Sequence, residues 1–561
     1  MGAGIGGFVA RGLGSAGARP VRGGASQRQP WRRLVAVVGA VVVGSGAVTG
    51  AAAAARLSAR ASTRRSVSGP HRGGSLTVLE ASGFAGDWPQ GLDPATDGDA
   101  LANSTMMDAI YGGLFQVGSG GAVVDDLASG YRLSDGSRVL TVDLRPGVRF
   151  SDGSRLDAGV VVWNWKRDLA ARSPSNPAWP AVVSMTAANP TTVRVRFQAP
   201  DGAAVNQLQD TNFDWIISQA AFGKVGEKRF RFYPVGAGPF QVVSDVFNNK
   251  LVLRRNPRYW EPGRPYLDQL VFQDVAGDEA ALEDLRSGQA QAYEFMGTPQ
   301  LVGAFRKAGF IVTEQPGTAA TDVKLNTAVA PFNNKLAREA IYDATDAAAI
   351  DKYIYNGSCP LSESFTGPGG LFYEPKVPNY RTYDLAKAKA IVHQLGGLSF
   401  TLFYTANTPI QQDTATALQT MYQAAGMKVT LLATTGLPAY IQQHVSGKWQ
   451  LDPAGIGSWD PAGGIGVAFD LASHAPFSGV HDPKVDQLIA QGEANQDPAI
   501  RAKYYAQLAE YLNQQAYTPF ICAPASWDIT AKGVRGVGLT TPTASFVSGS
   551  IVQWQDVSVG G

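Results

Sequence analysis

The chain has 561 residues, 45% of them hydrophobic and 17% charged, a composition with room for about two to four domain-sized units. The formal charge of +2 is unevenly placed: residues 1–73 hold eleven arginines and no lysine or acid, while the remainder carries 37 basic against 46 acidic residues. So acidic a body argues against nucleic acid as a partner, since nothing in it would displace phosphate counterions. With only two cysteines and five histidines, a structural zinc site of four closely spaced ligands is excluded.

In chain order, a basic Gly/Ala/Arg-rich head ends in Trp31-Arg32-Arg33, and residues 34–55 follow without a charge. That length spans a bilayer. It reads as a signal peptide cut near the alanine run 51–55 or as a retained membrane anchor, with the positive flank held in the cytoplasm. No cysteine precedes Cys359, so a cysteine-linked lipoprotein is not expected. Residues 56–73 read as a basic linker.

Order begins with a strand at 74–79, then a Gly/Asp/Pro-rich loop at 82–99 and a helix over 101–114. Alternation predicts strands at 140–144, 148–150 and 192–197, a turn at 151–154 and a helix over 160–171. From 234 onward strands and helices alternate. Strands are expected at 240–243, 251–254, 400–404 and 428–432. Helices are expected at 278–287, 335–355, 384–395, 411–425, 482–492 and 499–515, the first stopped by Gly288. Such alternation indicates α/β layers. Cys359 and Cys522 lie 163 residues apart; in an oxidising compartment they either bridge or remain two buried thiols.

Six stretches carry a family likeness: Leu144-Arg145-Pro146-Gly147-Val148-Arg149-Phe150-Ser151-Asp152-Gly153-Ser154; Pro234-Val235-Gly236-Ala237-Gly238-Pro239-Phe240; Leu253-Arg254-Arg255-Asn256-Pro257-Arg258-Tyr259-Trp260; the helix end Leu282 to Gly288; Asn326-Thr327 with Pro331-Phe332, Arg338-Glu339-Ala340-Ile341 and Asp346; and Lys532-Gly533-Val534-Arg535-Gly536. In this order, over about residues 74–545, they resemble the bacterial extracellular solute-binding proteins of family 5, which serve peptide and nickel ABC importers. Most of these stretches read as scaffold. Gly236 and Gly238 suit a tight turn before a strand, and Asp152-Gly153 closes a hairpin.

The resemblance implies a three-lobed periplasmic-binding-protein fold of the cluster C type, with mixed sheets and flanking helices. Lobe I would comprise 74–112, 233–325 and 517–561; lobe II, the extra lobe, 113–232; and lobe III, the closing lobe, 326–516. A short peptide or another small solute (a nickel chelate, an opine, an oligosaccharide) would be enclosed between two lobes and passed by a monomer to a membrane permease. A tethered sensor would share the fold. Peptides of unspecified sequence are held by backbone hydrogen bonds and by charges for their termini.

In the family an aspartate in a Gly/Trp/Asp/Pro segment takes the peptide ammonium. The corresponding stretch, Gly457-Ser458-Trp459-Asp460-Pro461, is shortened. One alignment puts Gly457 at the ammonium position and another puts Asp460 close to it; a turn-forming Asp-Pro is the alternative for Asp460. Trp459 is expected to wall the cleft. Phe84 and Trp88, in the loop after the first strand, are candidate apolar contacts, the alternative being local loop packing. Asn326 and Phe332 are expected at a hinge. An exported hydrolase is the remaining alternative. The sequence shows no G-x-S-x-G, H-E-x-x-H or P-loop pattern, and His474 and His481 are an isolated pair, so neither catalysis, a metal nor a cofactor is expected.

Overall fold

The structure, a computed structural model, describes residues 70–81, 91–96, 103–118, 122–172, 176, 179, 181–209, 211–406, 409–453, 455, 459–463, 466–473, 475, 477–537 and 552–560. The segment 34–55, with Phe84, Trp88 and Gly457, lies outside the described residues.

The largest sheet has seven strands, in the order Ile311–Gln315, Ser526–Thr530, Ala292–Met296, Ser75–Ala81, Gln269–Val275, Lys250–Arg255 and Phe240–Val246. Its centre is parallel, because Ser75–Ala81 pairs in parallel with a strand on each side. The outer pairs are antiparallel. The start, middle and end of the chain thus meet in one sheet, with the helix Ser104–Tyr111 packed on one face through Met106, Met107 and Ile110.

A second sheet is wholly antiparallel: Ala128–Ser134, Val139–Leu144, Thr192–Phe197 and Val182–Asn189. The helix Ala158–Ala171 lies over it, started by the Asp157 carboxylate accepting from the Val160 amide at 3.0 Å, the usual satisfaction of an orphan first-turn N–H. Its Trp165 is fully buried and donates Nε1–H to the Phe213 carbonyl at 2.8 Å. The indole's area is thereby buried without stranding its donor.

The third sheet joins Lys324–Leu325, Leu451–Asp452, Ser399–Thr405 and Lys428–Thr434. The helices Lys335–Ala344, Leu385–Gln394 and Pro409–Ala424 cover it. Between the first and third sheets the chain crosses twice. Thr321–Asp322 leads out, Phe520–Cys522 leads back, and the two pair antiparallel. Asn326 and Phe332 lie beyond this crossing. Phe332 is fully buried against Phe400, and Asn326 donates to the Trp449 carbonyl at 2.9 Å. Both pack inside the third core, a few residues beyond the paired crossings at 321–322 and 520–522. Cys359 and Cys522 form a disulfide, their Cα atoms 5.3 Å apart, well inside the reach of the bond.

Two local readings change. The helix expected over 335–355 is two, Lys335–Ala344 and Ala347–Tyr353. Thr345 is extended, and the Asp346 carboxylate caps the new helix at the Ala349 amide. The strand expected at 148–150 is a loop held by an isolated bridge between Arg149 and Arg155.

Candidate functional site

The segment expected to meet the ligand leaves the third sheet after Leu451–Asp452. Trp459 is buried, packs against Val117 and Leu371, and accepts the Leu371 amide on its carbonyl at 2.6 Å. It therefore joins three stretches far apart in sequence. Its indole Nε1–H is buried and has no acceptor among the described residues.

Asp460 is wholly buried and its carboxylate is fully engaged. Arg501, inside the helix Pro498–Gln515, donates Nη1–H to Oδ2 at 2.9 Å and Nη2–H to Oδ1 at 2.5 Å. Asn206 donates to Oδ2 at 2.7 Å, and the Ala462 amide to Oδ1 at 2.9 Å. Four donors on two oxygens, one a bidentate guanidinium, fill the carboxylate's acceptor sites. Asp460 is thus neither a bare turn residue nor an open acceptor for an ammonium; it ties residue 206 and residue 501 to the Trp459 segment. Burial alone would lower the Arg501 pKa, but pairing with Asp460 outweighs it and keeps the guanidinium charged. The Phe372 ring lies 4.8 Å beneath that cation.

Around this knot, Gly202 presses on the end of the helix Pro483–Ala494 and on Asn495 and Gln496 just beyond it. The Gly202 amide donates to the Glu493 carbonyl at 2.8 Å, and Gln496 donates to Ser137 at 3.0 Å. A Cβ at Gly202 would stand 2.0 Å from the Asn495 carbonyl carbon, so only glycine allows the approach. Asp201 is buried here, and Glu493 is half-buried with its Oε1 enclosed. Burial pushes Asp201 up to about 7, opposed by the Ala203 amide and Arg501. Burial, then the nearby Asp201, push Glu493 up to about 8.

These shifts set a direction for pH dependence. Unfolded carboxylates release their protons near pH 4, whereas the folded protein holds these two up to about 7 and about 8. Between those limits folding takes up protons, so their contribution to stability is complete in acid and is lost as pH rises through the folded values. Glu493→Gln is expected to flatten the fall in melting temperature from pH 5 to 8.5, and an unchanged slope would contradict this assignment.

Beside Pro461 a small cavity is lined by Asp322, Thr366 and Asp470 among others. Its polar wall rests on a buried ion pair, Lys324 to Asp470 at 2.6 Å. Of the residues singled out by sequence, Trp459 and Asp460 stand together here. The partners missed are Arg501, Asn206, Asp201 and Glu493. The motif glycines prove structural for another reason than the expected turn: Cβ atoms at Gly236 and Gly238 would come within 2.3 Å and 2.6 Å of the backbone at Ile110 and Gly112.

The sequence profile of the bacterial extracellular solute-binding proteins, family 5 Middle, matches residues 122–468. This chain belongs to that family. It is 26% identical over 454 residues to the glutathione-binding protein GsiB of Escherichia coli, covering 76% of this chain and 85% of the relative. Its fold is similar to that of the periplasmic binding protein DppA of Helicobacter pylori, solved with the peptide STSA (TM-score 0.70, 22% identity, 88% of this chain and 99% of that one). It is likewise similar to NikZ of Campylobacter jejuni, solved with Ni(L-His) (TM-score 0.70, 17% identity, 84% and 96% of the two chains). The family 5 protein described here thus has the α/β periplasmic-binding-protein fold, with mixed sheets and flanking helices, and is a solute-binding protein of the ABC-transport class. Among the described residues no helix is long and apolar enough to cross a membrane.

Proposed function

We propose that this family 5 protein captures a short peptide outside the membrane and delivers it, as a monomer, to the permease of an ABC importer. The observation that carries the reading is the buried Trp459 indole N–H, which has no acceptor among the described residues although it lies inside a braced strap. An orphan donor there is costly, and a solute carbonyl would satisfy it. Peptides offer carbonyls at every residue, and similar proteins are named for glutathione and for a bound peptide. Trp459 then contacts the solute directly, with Gly457, Phe84 and Trp88 as further wall residues, while Asp460 acts by holding the strap. The lobes 74–112 with 233–325 and 517–561, 113–232 and 326–516 would close around the solute by bending at the paired crossings. The disulfide supports an oxidising destination. Residues 34–55 serve either as a cleaved signal or as a tether.

The test is mass spectrometry of the small molecules that co-purify with the natively expressed protein. Peptides of mixed sequence are expected. A single non-peptide solute would overturn the peptide reading and leave the family unchanged.

A further inference from the structure

Two separately packed bodies meet at Ser137, Gly202 and Asn206. Ala204, Val205 and Leu208 belong to the core under the second sheet, with Leu140 and Trp165. Val485, Leu488 and Tyr505, from the helices Pro483–Ala494 and Pro498–Gln515, belong to another core. The contacts that join them here are polar. The Gly202 amide donates to the Glu493 carbonyl at 2.8 Å, Gln496 to the Ser137 hydroxyl at 3.0 Å, and Asn206 to the Asp460 carboxylate at 2.7 Å. Hydrogen bonds across such a seam exchange for water when it opens, so each holds it only weakly, and polar interfaces within one chain allow their two sides to move.

The seam has acceptors in excess of donors. Asp201 is buried, and its Oδ1 accepts from the Ala203 amide at 3.0 Å, but Oδ2 is enclosed with no partner among the described residues. Oε1 of Glu493, on the facing helix, is in the same condition, and so is Oε1 of Gln207. The other charged groups at the two acids are Asp460 on the strap and Arg501 on the helix Pro498–Gln515; the Tyr505 hydroxyl, one turn beyond Arg501, also faces Glu493. Arg501 is committed to Asp460 through both terminal nitrogens, so those two charges balance each other. Ionised together, Asp201 and Glu493 would add two unbalanced negative charges to the closed seam, which is costly away from water. Protonated, they add no charge and supply O–H donors where acceptors stand unmatched.

We infer that the seam between residues 201–207 and the helices Pro483–Ala494 and Pro498–Gln515 is a latch on the closed form, and that it closes by taking up protons on Asp201 and Glu493. This rests on the lobe closure proposed above and not on the identity of the solute. Opening admits water to both carboxyls, which then ionise in the usual range near pH 4. Closure buries them and holds their protons up to about 7 and about 8. The closed form therefore has its full advantage in acid and loses it as pH rises through the closed values. A parted seam also withdraws Asn206 from the strap that carries Trp459. Capture is thereby tied to the acidity outside the membrane.

The experiment is small-angle X-ray scattering of the natively expressed protein, freed of solute, at pH 5.5 and 8.5. It is run on the wild type, on the double variant Asp201→Asn with Glu493→Gln, and on Gly202→Val, each first shown to melt cooperatively at both pH values. The wild type is expected to have the larger radius of gyration at pH 8.5, the ratio of closed to open form falling about tenfold or more between the two conditions. The double variant, neutral at both positions, is expected to keep one radius throughout. Gly202→Val drives a side chain into Asn495 and is expected to be expanded at both pH values. A wild-type radius that does not change with pH overturns the latch. If G202V is then expanded, lobe closure stands without proton control; if G202V is as compact as the wild type, lobe closure falls with it. A double variant that expands at pH 8.5 as the wild type does overturns the assignment to Asp201 and Glu493. Should the double variant not fold, E493Q alone decides: a reduced expansion is expected, and an undiminished one overturns the inference.

Discussion

Replacing Asp460 by alanine is expected to cost the protein about 3–5 kcal/mol of folding stability, the range for removing one partner of a buried ion pair. The loss comes from the partner left behind. Arg501 is buried and keeps its charge largely through Asp460. With the carboxylate gone, two guanidinium N–H groups face the interior, where Phe372 and Tyr505 offer mainly ring faces. The Asn206 contact goes as well, so amide exchange is expected to quicken across 201–209 and around Trp459. Urea denaturation of the ligand-free chain measures the cost. The double variant Asp460→Leu with Arg501→Met should recover much of it, because an apolar pair of similar volume replaces a buried ion pair at little or no loss. Were Asp460 chiefly a ligand contact, alanine would leave stability within about 0.5 kcal/mol, as at a site without structural partners, and would lower only affinity.

That contrast also marks the boundary of sequence-level legibility. Segments with a clean local period are read correctly. The alternation at Thr192-Val193-Arg194-Val195-Arg196-Phe197 is a strand over those residues, and the helix Asp278–Ser287 ends where Gly288 takes a left-handed conformation. Readings fail where a local signal has two outcomes. The apolar spacing after Lys335 continues through Thr345-Asp346, but an aspartate there caps a new helix as readily as it extends an old one, and the chain takes the cap. The glycines of the Pro234–Phe240 motif look like turn formers in sequence, whereas their role is to admit the end of a helix from another part of the chain. Trp459 and Asp460 stand out through the family pattern. Arg501 does not: it lies 41 residues from its partner, a charged residue heading the buried row of Tyr505, Leu508 and Leu512 on its helix. The crossing is equally silent, since pairing between 321–322 and 520–522 is non-local.

Converting both Cys359 and Cys522 to serine is expected to lower stability by about 2–5 kcal/mol, the range for losing a native bridge. The closed loop holds 163 residues of chain. Loop-closure entropy alone sets an upper value near 5 kcal/mol for that length, with the realised figure depending on residual structure in the unfolded chain. The loss should also be local in its dynamics. Cys522 ends the strand that brings the chain back from the third sheet to the first, and Thr321 on the outgoing strand donates to the Cys522 carbonyl at 3.0 Å. Cys359 lies beyond the helix Ala347–Tyr353, within the third core. The bridge therefore pins the returning crossing to that core and leaves the outgoing one held by hydrogen bonds. Without the bridge, amide exchange is expected to rise first at 520–522 and 359–362, ahead of the seven-stranded sheet. Denaturant melts of the oxidised chain and of the double variant measure the magnitude, and exchange mass spectrometry measures the place. Two reactive thiols in the denatured, unreduced protein would remove the premise. A full loss of stability with uniform exchange would instead mean that the bridge acts on the unfolded chain alone and contributes nothing particular to the crossing about which the lobes would bend.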